Sequence, residues 1–314
     1  MPYVKQSFPL PYAMPAFLCL KRVLGVSVAE AQRLIDKGRV FYQGERVCAK
    51  NQILRDCFML LTYVPIARGM QPLFQTEDFA VMDKPAAMLI HQKGRFSHYS
   101  LLDEVRSLFG AGANLVHRID KETSGLVLVG KHKKSLATLG EMFFKRNVVK
   151  EYLALVRGVF PHNPFSFSLP LATQQRGGDL CVRSVYAGEN LVFKTAQTSF
   201  ESLGILTHNQ QQYTFLKVIP QTGRTHQIRL HLEALGYPIL GDPLYGTKDS
   251  YSREYLNGEF FTKGQNSPLS DVKRLEYFGA KRLMLHAYSL AFCYKNVSYC
   301  FKSIENFELK GIML

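Results

Sequence analysis

The sequence predicts an α+β protein in which a small basic α+β unit precedes a larger domain built on mixed or antiparallel sheet. Three observations carry that expectation. Strand-like runs are scattered among short capped helices and do not alternate with them at a βαβ period. No glycine-rich phosphate loop and no internal repeat interrupts them. At 314 residues the chain is too long for one small core and suits one large domain plus a small one.

The elements follow from local signals. SVAEAQRLIDKG opens on Ser27 with Glu30 three residues on, a capping box, and Gly38 stops the helix. RVFYQGERVCAKNQIL then alternates as two short strands around Gly44. Residues 16–64 thus form a helix-plus-hairpin unit with eight basic and four acidic side chains. Residues 65–72, with Pro65, Gly69 and Pro72, are the expected linker, and 73–314 the larger domain. There FAVMDKPA is a strand ending at a Lys-Pro turn, and SLLDEVRSLFG a helix capped by Ser100. A helix is expected over 134–145, then the strand VVKEYLALVRG (148–158). Residues 179–219 hold short strands and turns, and RTHQIRLHLEALG (224–236) is a helix closed by Gly236. Residues 251–280 read as an irregular polar insertion, and LMLHAYSLAFCY as a late strand.

Composition narrows the function. Lys+Arg number 39 against 25 Asp+Glu, a net charge of +14, which favours a polyanion partner, nucleic acid before anionic membrane. No basic amphipathic anchor and no bilayer-length apolar run is present, and MPYVKQSFPLPYAMPAF is a poor signal peptide, so a cytoplasmic protein is expected. The six cysteines are scattered without a C-x-x-C pair, against a zinc site or a disulfide framework.

One connection breaks the pattern. In NLVHRIDKETSGLVLVGK, five polar or charged residues separate two short apolar runs. Loops on a rigid scaffold are where chemistry tends to sit. Asp120 could act as nucleophile or base, or merely cap a turn. Its company is Arg118, with Lys84, Tyr152, Arg224, His226, Gln227, Arg229 and His231 in otherwise apolar text. His226 and His231 are five apart with no glutamate between, which does not fit a zinc-protease helix. No metal is expected.

HRIDKETSG resembles the HRLD-x-x-TSG signature of RNA pseudouridine synthases of the RluA type. Further blocks agree in order: FAVMDKPAAMLIH (with Asp83 and Ala87 where Asn and Gly are more usual), VVKEYLALVRG, QTGRTHQIRLHLEALGYPILGDPLYG and RLMLHAYSLAF. The resemblance covers about residues 73–305. Residues 16–64 resemble an S4 RNA-binding domain, although LCLKRVL and RDCFMLL replace that domain's usual opening and close.

The resemblance implies the pseudouridine synthase fold and isomerisation of uridine in structured RNA, without cofactor or metal. It assigns catalysis to Asp120. A carboxylate held ionised in an apolar pocket needs a partner, and Arg229 in the HQ-x-R block is the expected one. Tyr152 matches the active-site tyrosine, placed to stack on the base or to assist proton removal. Arg118 is expected to fill the space a flipped base vacates, and Ile228 to pack beneath that base. His117, Lys84, Arg224, Thr225, His226 and Gln227 are expected to shape the pocket or meet phosphates. Whether Asp120 attacks sugar or base stays open. The expected partner of this monomer is large-subunit ribosomal RNA, with transfer RNA as the alternative and no membrane. A non-catalytic ribosome-assembly protein is the rival from another class. A glycosidic hydrolase is a second, and would need two cooperating carboxylates where Glu122 is the sole acid close by in sequence.

Overall fold

The computed structural model describes residues 3–64, 67–91, 99–161, 164–174, 183–260 and 268–304. The chain divides into two units near Arg68 and Gly69; of the expected linker, residues 65 and 66 lie outside the described residues.

In the first unit β1 (Tyr3–Pro9), α1 (Ala16–Leu24), α2 (Val28–Asp36), β2 (Val40–Tyr42), β3 (Glu45–Arg46) and β4 (Cys57–Tyr63) follow in order. The strands pair as the antiparallel sheet β1–β4–β2–β3. Cys19 and Leu20 of α1 and Ala31 and Ile35 of α2 form one core with Val40, Leu54, Phe58 and Leu60. Glu30 and Ser27 cap α2 reciprocally, as the sequence signals. Helix α1 and strand β1 carry no such signal. Pro15 precedes α1 without a side-chain cap, so only packing marks its start.

The second unit contains β5 (Phe74–Gln75), β6 (Phe79–Lys84), α3 (Leu101–Phe109), β7 (Ser124–Gly130), α4 (Lys133–Phe144), β8 (Val148–Arg157), β9 (Phe165–Ser168), β10 (Gln197–His208), β11 (Gln211–Pro220), α5 (Gln227–Ala234), α6 (Asp249–Phe260), α7 (Asp271–Phe278), β12 (Leu285–Tyr294) and β13 (Val297–Lys302). Its main sheet runs β9–β10–β11–β8–β12–β7–β6–β5, with β13 beside β12. Pairing is antiparallel except between β7 and β12, so the sheet is mixed and the class α+β, as expected.

Every residue of β7 is buried, the mark of a strand covered on both faces. Val127 and Val129 pack with Ala80, Met82, Leu101 and Val105 on one side; Leu126 and Leu128 pack with Phe79, Val81 and Leu139 on the other. Helices α3 and α4 therefore sandwich the centre, and the loop ending at Ser124 leaves a rigid edge. Gly125 makes the crossing to β12 possible. It sits at φ 107°, and a Cβ there would lie 2.3 Å from the Ala287 carbonyl oxygen.

Three expectations need correction. Residues 251–280 are not irregular: α6 and α7 occupy most of the segment, with 261–267 outside the described residues. Their apolar contacts are few and mostly aromatic, Tyr251 stacking on Tyr277 with ring centres 4.0 Å apart and Tyr255, Leu256 and Phe278 buried beside them, so a polar exterior hid the period. The strands expected to be short within 179–219 include β10 and β11, one long hairpin turning at Asn209 and Gln210, both at positive φ; residues 179–182 lie outside the described residues. Helix α5 starts at Gln227, not near 224, because His226 sits at φ 55° and ends the preceding turn.

Candidate active site

A cleft of about 720 Å³ opens between the loop before β7, the end of α4, strand β8 and the segment Ile219–Arg229. Its walls bring together His117, Arg118, Asp120, Tyr152, Arg224, Thr225, His226, Gln227, Ile228 and Arg229, which the sequence scatters over more than a hundred positions. Lys84 does not line it.

At the floor Arg229 stands between two carboxylates. Its Nε and Nη2 donate to Asp242 Oδ2 and Oδ1, each at 2.7 Å, the two-pronged geometry that a guanidinium favours. Its remaining Nη1 donates to Asp120 Oδ2 at 3.2 Å. Asp242 also accepts the backbone N–H groups of Leu244 and Tyr245 at 2.8 and 3.1 Å, so the far anion is fixed by main chain. The Arg229 and Asp242 side chains are 2% and 1% exposed, whereas Asp120 keeps 23%. One carboxylate anchors the guanidinium and the other faces the cleft.

Charge follows from that geometry. Burial pushes the Asp120 carboxyl up, but its electrostatic interactions with His226 and Arg229 and the Arg229 hydrogen bond more than offset it, and Asp120 titrates below the usual range. His226 is itself held down to about 4, first by burial, with Arg229 adding to it. At neutral pH its imidazole is uncharged, which leaves Arg229 as the standing counter-charge. The αL backbone of His226 aims the ring: Nδ1 meets the Tyr245 hydroxyl at 2.8 Å and Nε2 lies 4.0 Å from Asp120 Oδ1. Such strain at a non-glycine residue gathers at functional sites.

Tyr152 lies where β8 and β12 slip register, between Glu151 and Tyr152, and bulges of this kind re-aim side chains. Burial and then the Asp120 charge push its phenol well above the usual tyrosine range, so it stays protonated. Arg118 is exposed on the cleft wall, and Ile228, buried in the core, lines the same cleft.

Several residues expected to meet substrate brace the site. His117 Nε2 accepts the Leu128 N–H at 3.0 Å while its ring stacks on Phe143; accepting there requires the neutral form, and burial holds its pKa to about 3. Gln227 donates to the Gln197 carbonyl and Thr198 and accepts from Thr222 and the Arg224 N–H, which shapes the turn before α5. Arg224 Nε holds the Thr195 carbonyl and the Thr225 carbonyl accepts from Ser184. Lys84, fully buried, donates to the carbonyls of Pro85, Met88 and Lys121 at 2.8–3.0 Å, the last immediately after Asp120.

Four partners escaped the sequence reading. Asp242 and Tyr245 lie in GDPLYG, a quoted block whose charged member gave no sign of facing Arg229. Arg274 of α7 donates to Glu122 at 2.6 Å and Tyr255 of α6 donates to it at 2.8 Å, so the polar insertion grips the loop two residues from Asp120. Glu122 is thereby occupied and turned into the protein, which removes the second carboxylate a glycosidic hydrolase would use. Breaking a buried pair of this kind typically costs about 3–5 kcal/mol.

The sequence profile of the RNA pseudouridylate synthase family matches residues 78–234. An uncharacterized RNA pseudouridine synthase of Helicobacter pylori is 37% identical over 301 residues, 95% of this chain and 93% of that protein. Ribosomal large subunit pseudouridine synthase C of Buchnera aphidicola subsp. Baizongia pistaciae is 31% identical over 245 residues, 74% of this chain and 68% of its own. Among solved structures, human RNA Pseudouridylate Synthase Domain Containing 1 shares the fold at a TM-score of 0.57 and 24% identity, over 76% of this chain and 85% of that one.

The buried imidazoles set a pH dependence. His226 and His286, both held to about 4, and His117, at about 3, resist protonation when folded, but titrate near 6.5 when unfolded. Between those values the unfolded chain binds more protons, so the stability they contribute is full above pH 6.5 and is lost as pH falls towards 4. At roughly 1.4 kcal/mol per unit, His226 alone accounts for about 3 kcal/mol by pH 4. Urea midpoints should fall steadily across that window; a flat profile would show that these imidazoles are not buried and neutral.

Proposed function

Because the chain belongs to the RNA pseudouridylate synthase family, we propose that it converts uridine to pseudouridine in large-subunit ribosomal RNA, with Asp120 as the catalytic carboxylate. The observation that carries this reading is the Asp120 side chain, kept ionised by Arg229 yet still open to the cleft. The reaction breaks the bond from ribose C1′ to uracil N1 and forms one to C5, with a proton leaving C5 and N1 regaining one. It is redox-neutral, and a resident carboxylate with a fixed counter-charge supplies what it needs. Asp120 starts the detachment, and Arg229 keeps its charge from being lost to the low-dielectric floor. Tyr152, protonated throughout, offers its ring face to the base and its hydroxyl as a donor. Arg118, exposed beside Asp120, occupies the stack the flipped uridine leaves and meets backbone phosphate.

Support for a ribosomal substrate comes from the similarity to a synthase named for the large ribosomal subunit. The first unit fits as an S4-like RNA-binding module: Lys21, Arg22, Arg33, Lys37, Arg46 and Arg55 are exposed around a small apolar core. Each phosphate they neutralise steepens the fall of affinity with salt by roughly 0.7 to 0.9 log units per decade. Reversing Arg33 and Lys37 to Glu should therefore weaken binding to ribosomal RNA and flatten that slope by about one to two such increments. An unchanged slope would mean that the unit does not touch RNA.

Carbodiimide labelling, which marks pseudouridine even though its formation changes no mass, tests the catalytic reading. Ribosomal RNA from cells lacking the protein should lose at least one pseudouridine, restored by wild type and not by Asp120→Asn, while the folded mutant still binds RNA. Loss of a mark only from transfer RNA would redirect the substrate. Full conversion by Asp120→Asn would remove Asp120 from its role.

A further inference from the structure

Two phenylalanines end α4, and the fold treats them oppositely. Phe143 stacks on His117, with ring centres 4.6 Å apart and an interplanar angle of 17°. Phe144, at 87% exposure, is the barest large apolar side chain among the described residues. Scattered surface hydrophobics are ordinary, so exposure alone means little. The position of Phe144 gives it meaning: it lines the cleft that holds Asp120, as does Val149, itself 52% exposed.

The ground around these two is cationic. Arg146 and Lys150 line the same wall, and neither makes an ion pair with a carboxylate among the described residues. Lys145, one position away, is already engaged with Glu141 at 2.7 Å. A flat apolar ring bordered by cations that no carboxylate neutralises, Lys150 resting over the Phe143 ring, matches single-stranded nucleic acid, whose bases offer π-faces and whose backbone offers phosphate. An amphipathic peptide would want a longer apolar stripe, and Phe144 with Val149 is too small for one.

We propose that Phe144 is a stacking platform for the unpaired nucleobase next to the uridine that enters the cleft, with Arg146 and Lys150 taking the adjoining phosphates. This rests on the catalytic reading above only for the identity of the neighbouring base. Every base has a π-face, so the platform selects for an unpaired neighbour and not for its sequence. It makes the enzyme a reader of loops and bulges, where bases are free to splay.

The test uses the full-length protein and a fluorescein-labelled RNA stem-loop carrying one uridine in its loop, with variants abasic at the nucleotide on either side. Phe144→Ala should raise Kd on the intact RNA roughly tenfold, with the loss falling on KM and not on kcat. On one of the two abasic RNAs the same substitution should cost nothing further. Phe144→Tyr should bind like wild type. Equal Kd for wild type and Phe144→Ala would overturn the platform, as would an equal loss on both abasic RNAs and the intact one. If the wild type forms no pseudouridine but this binding pattern holds, the catalytic reading fails and the platform stands.

Discussion

The guanidinium of Arg229 is shared by two carboxylates that would repel each other without it. Asp242 takes two of its donors and is itself tied to two backbone N–H groups; Asp120 takes the third and looks into the cleft. The asymmetry matters. An arginine held by one free carboxylate could swing away with it, whereas one already clamped from behind presents a fixed charge to the second. Asp120 can then stay ionised in a half-buried place, where burial by itself would raise its pKa.

Much of the surrounding fold holds the two ends of that contact in register. The loop carrying Asp120 is pinned from three directions: Lys84 takes the Lys121 carbonyl, His117 takes the Leu128 N–H, and Glu122 is buried against Arg274 and Tyr255. Gly125 lets β7 run alongside β12 where any Cβ would collide. On the other side Gln227 fixes the turn that leads into α5, the helix that carries Arg229. Lysine, histidine, glutamate and glutamine thus spend their polarity on internal geometry, leaving Asp120, Arg118 and the Tyr152 ring turned to the cleft.

How much of this was legible depends on how local each signal is. The Ser27–Glu30 cap, strand β7 and the charged loop before it were readable because their residues are neighbours in sequence. The Asp120–Arg229 contact spans 109 positions and was expected only through the resemblance of two separate blocks. Asp242 was passed over because an aspartate in GDPLYG is equally at home capping a turn, and its Leu244 and Tyr245 contacts do cap one. Helices α6 and α7 were missed since their faces are mostly polar and their purpose, Glu122, lies 152 residues from Arg274. Lys84 and Gln227 show the opposite error: polar residues in a motif suggest ligand contacts, but burial decides whether the polarity faces substrate or protein.

The most direct test of this account is the single-turnover rate of Asp242→Asn at saturating RNA. The amide keeps the size and can still accept from Leu244 and Tyr245, yet it removes the charge that clamps Arg229 from behind. If the rear clamp sets Asp120, the rate falls at least about tenfold, equivalent to roughly 1.4 kcal/mol of activation free energy, with RNA affinity little changed. A rate equal to wild type in the folded mutant would contradict the clamp's role and would show that Asp120 is set for its work by something other than the doubly held guanidinium.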